Sequence, residues 1–118
     1  MLTISARKWA WAVTTLTAPD GRILKLKAGP VATLARLADF ENAQRGYAFP
    51  TVETLARETG QSKRATETNL ALLEEFGALS REKFTASVGA QHLRSRYVLH
   101  VPEIYRAEDA EWQRWNKK

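Results

Sequence analysis

The fold of this chain is decided by residues 50–79, which read PTVETLARETGQSKRATETNLALLEEFGAL. Thr51 is a favourable N-cap for a short helix, and Gly60 suits the left-handed position that ends one. Ser62 then caps a longer helix that ends near Gly77. The apolar side of this longer helix carries Leu70, Leu73 and Phe76. The stretch therefore predicts two helices joined by a tight turn.

Periodic patterns continue on both sides of that stretch. Gly29-Pro30 favours the start of a helix, because proline is tolerated in a first turn. Apolar residues then recur at the spacing of a buried helical face, at Val31, Leu34, Ala35 and Ala38. After Gly77 the period changes to two, which predicts a hairpin with strands at residues 79–85 and 96–101. Its second strand carries one apolar face, at Tyr97, Leu99 and Val101.

The two ends of the chain are less regular. Residues 1–27 fit either a hairpin or a helix followed by an extended arm, because Trp9, Trp11 and Val13 alternate while Trp9 and Val13 also fit a helical stripe. The helix is favoured. Residues 103–118 look helical, and Trp112 and Trp115 within them pack either on the domain's own core or on a second protomer.

Length and charge limit the class of protein. The 118 residues suit one domain, and the absence of cysteine excludes disulfides and thiolate metal sites. No apolar run approaches the roughly 20 residues that span a bilayer, so we expect no membrane partner and a cytoplasmic location. Eighteen basic against thirteen acidic residues give a net charge of +5, which favours a polyanionic partner.

The order of elements predicts a mainly α fold with a small β-hairpin wing, a winged helix-turn-helix. We therefore expect an N-terminal arm or helix at residues 1–27, the winged helix-turn-helix domain at residues 28–102, and a C-terminal helix at residues 103–118. That last helix packs on the domain or on a second protomer.

The chain also resembles a known family over residues 50–82, and further resemblance lies upstream, at residues 34–39 and at Trp9-Ala10-Trp11. The resemblance is carried by Phe49-Pro50-Thr51, Leu55-Ala56, Gly60, Ser62, Arg64, Leu70, Leu73-Glu74-Glu75, Gly77 and Leu79. These residues resemble the winged helix-turn-helix DNA-binding family of the phage and plasmid replication-initiator type. The resemblance implies double-stranded DNA as the partner, in the setting of a mobile element. The chain departs from it at Thr66, a usually apolar position, and at the outer turns, where Thr68, Ala71 and Leu72 replace the basic residues common in relatives.

Candidate DNA contacts on the longer helix cluster near its N-terminus, the part that reads bases in a major groove. They are Gln61, Ser62, Lys63, Arg64, Glu67 and Thr68. Arg64 could bind guanine with two hydrogen bonds, and Glu67 could accept one from the cytosine amino group. Alternatively, Glu67 pairs with Lys63 at the i, i+4 spacing of a helix surface.

Basic residues elsewhere could bind phosphates or enter the minor groove. On the wing they are Arg81, Lys83, His92, Arg94 and Arg96. On the N-terminal arm they are Arg7, Lys8, Arg22, Lys25 and Lys27. Because the longer helix carries little charge, we expect it to supply selectivity, while the wing and the arm supply affinity.

The sequence thus favours a sequence-specific double-stranded DNA-binding protein, either a transcriptional regulator or an accessory factor of a mobile element. We expect a homodimer or several copies on adjacent sites. The alternative is a winged-helix adaptor that binds another protein. We expect no enzyme, no cofactor and no metal, because His92 and His100 are the only histidines and no acidic pair has ligand-like spacing.

Overall fold

The computed structural model describes residues 3–85 and 93–116. Its helices are α1 Ser5–Ala12, α2 Ala28–Phe40, α3 Val52–Thr59, α4 Lys63–Glu75, α5 Glu103–Arg106 and α6 Ala110–Asn116. Its strands are β1 Thr15–Thr17, β2 Ile23–Lys25, β3 Leu79–Thr85 and β4 Leu93–Leu99. The succession α2, α3, α4, β3, β4 is a winged helix-turn-helix, so the predicted fold class is confirmed.

The turn between α3 and α4 forms as its sequence predicts. The Thr51 hydroxyl accepts a hydrogen bond from the Thr54 N–H (3.1 Å), and the Ser62 hydroxyl accepts one from the Ala65 N–H (3.0 Å). Gly60 ends α3 at φ +68°, a conformation that L side chains rarely adopt. These local preferences set where α4 begins and therefore which of its residues face outward.

The core lies between α2, α3, α4 and the base of the wing. Its fully buried large side chains include Leu34, Leu37, Leu55, Leu70, Leu73, Leu79 and Tyr97. Thr66 is also fully buried, at the position where the family resemblance leads one to expect an apolar side chain. Its hydroxyl donates a hydrogen bond to the Ser62 carbonyl (2.9 Å), which removes the penalty for burying it.

The wing is an antiparallel hairpin in which Leu79 is paired with Leu99 and Arg81 with Tyr97. Ala48 forms an isolated antiparallel β-bridge with Tyr97 at the edge of this sheet. The Ala48 N–H donates to the Tyr97 carbonyl (2.9 Å), and the Tyr97 N–H donates to the Ala48 carbonyl (2.6 Å). The second strand lies earlier than predicted, since it ends at Leu99. The Pro102 ring cannot continue a ladder, and the chain leaves the sheet before it.

Residues 3–27 contain both a helix and a hairpin, the two structures between which the sequence did not decide. Helix α1 buries Trp9, and the β1–β2 hairpin follows it with Thr15 opposite Lys25. Its turn closes through the hydrogen bond from the Ala18 N–H to the Arg22 carbonyl (2.8 Å), with Gly21 at φ +92°. The favoured helix is therefore present, and the extended arm is a hairpin.

The C-terminal segment is two short helices rather than one, and it packs on the chain's own domain. Arg106 is 4% exposed and donates hydrogen bonds to both carboxylate oxygens of Glu41 (2.7 and 2.8 Å). Its guanidinium also lies 3.5 Å from the centroid of the Trp112 ring. Asp109 accepts hydrogen bonds from the Ser5 N–H and hydroxyl (2.9 and 2.5 Å). This buried cluster joins α1, the end of α2 and α5.

Among the described residues, no helix has the length and apolar character needed to cross a membrane.

Candidate nucleic-acid interface

Helix α4 presents the outward side that a count of 100° per residue predicts. Thr66, Leu70 and Leu73 are buried, whereas Arg64 and Thr68 are exposed. The Thr68 hydroxyl donates a hydrogen bond to the Arg64 carbonyl (3.0 Å), which ties it to the helix backbone. The exposed strip formed by Arg64 and Thr68 therefore offers an arginine beside a small hydroxyl group.

The start of α4 also offers free backbone donors. The first four N–H groups of a helix have no partner within it. Here the Ser62 hydroxyl takes the Ala65 N–H, and the Ser62 carbonyl takes the Thr66 N–H (3.0 Å). The N–H groups of Lys63 and Arg64 remain, and a helix N-terminus of this kind favours an anion.

Gln61 is placed as a structural connector. Its amide donates hydrogen bonds to the hydroxyls of Thr33 (3.0 Å) and Thr59 (2.8 Å), and its carbonyl accepts one from Asn69 (2.6 Å). The side chain thus links the turn to α2 and α4. Gly29 makes this possible, because a Cβ there would lie 3.0 Å from the Asn69 amide nitrogen. In this geometry Gln61 positions α4.

Lys63 pairs with a different carboxylate from the one that helix spacing suggested. Its ammonium lies 2.9 Å from Glu53 at the start of α3. The hydrogen bond from Lys63 lowers the pKa of the Glu53 carboxyl, and the same bond raises the pKa of Lys63. Both side chains are well exposed, so the pair is easily opened by solvent or by a ligand.

Glu67 pairs instead with the wing. Arg81 on β3 donates hydrogen bonds to its two carboxylate oxygens (3.1 and 3.4 Å) and to the Ser95 hydroxyl (3.0 Å). The guanidinium also lies 5.5 Å from the centre of the buried Tyr97 ring. Burial acts to lower the pKa of Arg81, but the interactions with Glu67 and neighbouring groups offset it and the pKa is raised. The side chain braces the wing against α4.

The remaining wing residues differ in their surroundings. Lys83 is exposed and, within the described part of the chain, has no carboxylate within 4 Å. Arg96 lies 2.6 Å from Glu82 and 5.1 Å from the centre of the Tyr47 ring. Arg94 is described only as a backbone position of β4, and His92 lies outside the described residues.

The five basic residues predicted as one arm separate into two groups. Arg22 belongs to the β1–β2 hairpin and attaches it to the end of α4, because its guanidinium lies 2.8 Å from Glu75 and 5.2 Å from the centre of the Phe76 ring. Lys25 and Lys27 follow it and are exposed. Arg7 lies 3.7 Å from Asp39 on α2. The fifth residue, on α1 next to Arg7, is the exposed Lys8.

Two partners in this interface carry no sequence signal that we recognised. Glu53 looks like an ordinary first-turn acid, and Ser95 looks like an ordinary strand residue. Only the packing of α3 against α4 and the strand register bring them to Lys63 and Arg81. His100 also has partners that are distant in the sequence, since its ring nitrogens lie 2.8 Å from the Gly77 carbonyl and 2.8 Å from the Ser80 hydroxyl.

Comparison with known proteins agrees with this arrangement. Residues 25–79 match the family model described as a helix-turn-helix domain. The match covers 55 of the 118 residues, just under half of the chain. It is also similar to Protein YmfN of Escherichia coli (strain K12), with 42% identity over 57 residues, which cover 48% of this chain and 12% of that protein. No solved structure gives a significant match.

The helix-turn-helix match begins at the last residue of β2 and ends at the first residue of β3, so it contains α2, α3 and α4. Such a domain is a DNA-binding element in which the second helix of the motif enters the major groove. By its place in the matched segment, α4 is the second helix of the motif.

Proposed function

We propose that this helix-turn-helix protein binds double-stranded DNA in a sequence-specific manner, with α4 in the major groove. The observation that carries the proposal is Arg64: it is exposed on the outward side of the first turn of α4 and has no carboxylate within 4 Å in the described part of the chain. An arginine in that place can bind the O6 and N7 atoms of guanine with two hydrogen bonds.

The other residues of α4 take supporting roles in this proposal. A phosphate binds the free N–H groups at the start of α4, close to Ser62 and Lys63. Thr68 contacts a neighbouring base edge or thymine methyl group. Glu67 accepts a hydrogen bond from a cytosine amino group once DNA draws Arg81 away from it. Gln61 holds the turn that aims the helix.

Affinity comes from cations beside α4. On the wing, Lys83 binds a phosphate, and the same role is proposed for Arg81, His92, Arg94 and Arg96. On the other side, Lys25 and Lys27 follow a hairpin that Arg22 fastens to the end of α4. Two basic hairpins are thus attached to α4: the wing through Arg81 and Glu67, and the β1–β2 hairpin through Arg22 and Glu75. Arg7 and Lys8 on α1 are the weakest members of the set, since the contact of Arg7 is with α2.

In biological role the protein would be an intracellular transcriptional regulator or an accessory factor of a mobile element. Proteins with one recognition helix per chain commonly bind as symmetric pairs on paired half-sites. We therefore propose a homodimer or several copies on adjacent sites. Selection of bound sequences from a random duplex library tests this: a palindrome or a regular repeat is expected, and a single unrepeated site would refute it.

Salt dependence tests DNA binding itself. Fluorescence anisotropy with a labelled duplex should show log K falling linearly with log salt, with a slope of about −0.9 per phosphate contacted. Arg64→Ala should cost roughly 1–3 kcal/mol on the selected duplex and relax the preference at one base. Lys83→Ala should weaken all duplexes alike. Absence of binding by the unchanged protein at low salt would refute the proposal.

A second candidate function, that of an adaptor for another protein, is favoured by exposed apolar side chains. Trp11 is 70% exposed and Ile104 is 75% exposed. Trp11 also lines an open groove of about 240 Å³ together with Ala35 and Thr59, and an aromatic ring at the edge of a groove can anchor a partner's side chain. If this candidate is right, Trp11→Ser and Ile104→Ser abolish binding of a protein partner. Neither the unchanged protein nor these variants should then bind duplex DNA.

A further inference from the structure

A group of two arginines and two aromatic rings surrounds the β-bridge that Ala48 forms with the wing. Ala48 is buried in this segment, so its neighbours Tyr47 and Phe49 lie on the opposite face. Their rings meet edge to face, with centroids 5.8 Å apart. The guanidinium of Arg45 lies 5.5 Å from the Phe49 centroid, and that of Arg96 lies 5.1 Å from the Tyr47 centroid.

Arg45 is held in place without being neutralised. Its N–H donates a hydrogen bond to the Asn42 side chain (3.0 Å), inside a tight turn that closes with the Asn42 N–H on the Tyr47 carbonyl (3.0 Å). Hydrogen bonds from Arg45, and to a smaller extent from Arg96, lower the pKa of the Tyr47 phenol. Within the described part of the chain, the Arg45 guanidinium therefore contacts a phenol and an aromatic ring.

Arg96 in the same group is different, because Glu82 lies 2.6 Å from it. Arg45 has no carboxylate within 4 Å in the described part of the chain. It therefore combines three properties: an exposed charge, a fixed backbone and side-chain contacts that limit its rotamers. A cation with these properties loses little entropy when it binds an anion.

This group of side chains lies immediately before the helix-turn-helix in the sequence. Phe49 and Pro50 precede α3, and Glu53 in the first turn of α3 contacts Lys63, the first residue of α4. Beside Phe49 lies an open apolar groove of about 270 Å³, lined by Phe40, Phe49, Pro50, Thr51 and Thr54. A cation next to a small apolar groove suits a sugar-phosphate unit, which is charged at one end and largely apolar at the other.

We propose that Arg45, positioned by Tyr47 and Phe49, is a phosphodiester-binding site for the DNA backbone that flanks the segment read by α4, with the deoxyribose against the Phe49 groove. The site rests on the proposed DNA binding and adds a contact away from both α4 and the wing tip. Arg45 is the binding residue, whereas Tyr47 acts through it as a positioning residue.

Arg45→Ala, measured by anisotropy on one duplex at several salt concentrations, tests this directly. The slope of log K against log salt should become shallower by about 0.9, the value for one phosphate. Tyr47→Phe should leave the slope unchanged and weaken binding by a few-fold, because the charge remains but its restraint is lost. Arg57→Ala, which removes an exposed arginine of α3, is the matched control and should change neither quantity.

A scan with neutral methylphosphonate linkages locates the phosphate. One linkage outside the segment protected by α4 should weaken the unchanged protein and have no additional effect on Arg45→Ala. An Arg45→Ala variant with an unchanged slope, in a protein that binds DNA, would overturn this site alone. Failure of the unchanged protein to bind any duplex would overturn the proposed function as well, so the two outcomes are distinguishable. Thermal unfolding of each variant shows whether a loss reflects misfolding.

Discussion

Replacing Glu67 by glutamine should make this protein bind unselected DNA more tightly and the selected site less tightly. The carboxylate of Glu67 neutralises Arg81 at 3.1 Å in the free protein. It would also lie close to phosphates if α4 enters a major groove. Glutamine keeps the size and one hydrogen-bond acceptor but removes the charge, so Arg81 becomes available to the DNA backbone.

The magnitude follows from the geometry. At 3.1 Å and an effective dielectric constant of about 20, the attraction between the two charges is about 5 kcal/mol before solvation is counted. Because Glu67 is 44% exposed, screening and desolvation reduce the net contribution to about 1 kcal/mol of stability. One newly available phosphate contact steepens the salt slope by about 0.9, which corresponds to a roughly 3.5-fold change between 50 and 200 mM salt.

Anisotropy on a random duplex and on a selected duplex, each at several salt concentrations, measures these effects. On the random duplex the variant should bind several-fold more tightly at low salt, and this advantage should shrink as salt is raised. On the selected duplex it should lose roughly 1–3 kcal/mol if Glu67 contacts cytosine. Glu108→Gln is the control, since it makes the same change in net charge on an exposed residue of the C-terminal segment. If both variants give the same slope as the unchanged protein, Glu67 does not mask Arg81 and the reasoning is wrong.

Three further predictions concern stability and positioning. Arg106→Met should lower the free energy of unfolding, measured by chemical denaturation, by roughly 3–5 kcal/mol, because it leaves Glu41 buried without its charged partner. Adding Glu41→Gln should restore part of that free energy. If the losses of the two single variants simply add in the double variant, the pairing is refuted. Burial acts to raise the pKa of Asp109, but hydrogen bonds from Ser5 and nearby N–H groups lower it below its usual value. This contribution is therefore complete above pH about 4, the unfolded value, and is lost as pH falls through the folded pKa; Asp109→Asn should flatten that part of the stability–pH curve. Gln61→Leu should weaken binding to all duplexes with an unchanged base preference, whereas a change at one base alone would make Gln61 a reading residue.

The helix-turn-helix could be predicted from the sequence because its signals are local. Thr51, Gly60 and Ser62 act within one or two turns of their own positions, and each does in the structure what its residue type favours. The buried side of α4 follows from the 3.6-residue period in the same way. Residues 3–27 were ambiguous because α1 is short and leaves Trp11 exposed, so the apolar pattern fits neither period well.

Long-range pairings could not be predicted. Arg106 and Glu41 are 65 positions apart, and nothing in the residues around either one indicates that they meet. The same is true of Glu67 and Arg81. Helix spacing suggested Lys63 as the partner of Glu67, because these two residues are four positions apart on the same helix. Such contacts depend on how α4 meets the wing and how the C-terminal segment returns to α1. Only the packed structure defines them.

These pairings change the expected source of affinity. Counting basic residues on α4 and the wing treats Lys63, Arg64, Arg81, Lys83 and Arg96 as equal, yet three of the five have a carboxylate within 3.1 Å. A paired cation must first exchange its partner for a phosphate, so its net gain is smaller than that of an unpaired one. In the proposed complex we therefore expect Arg64 and Lys83 to contribute most per residue, and we expect the carboxylates of Glu53 and Glu67 to repel DNA that offers no compensating contact. Acids on the proposed DNA-binding surface should weaken binding to unselected DNA more than binding to the selected site, and specificity is this difference in affinity.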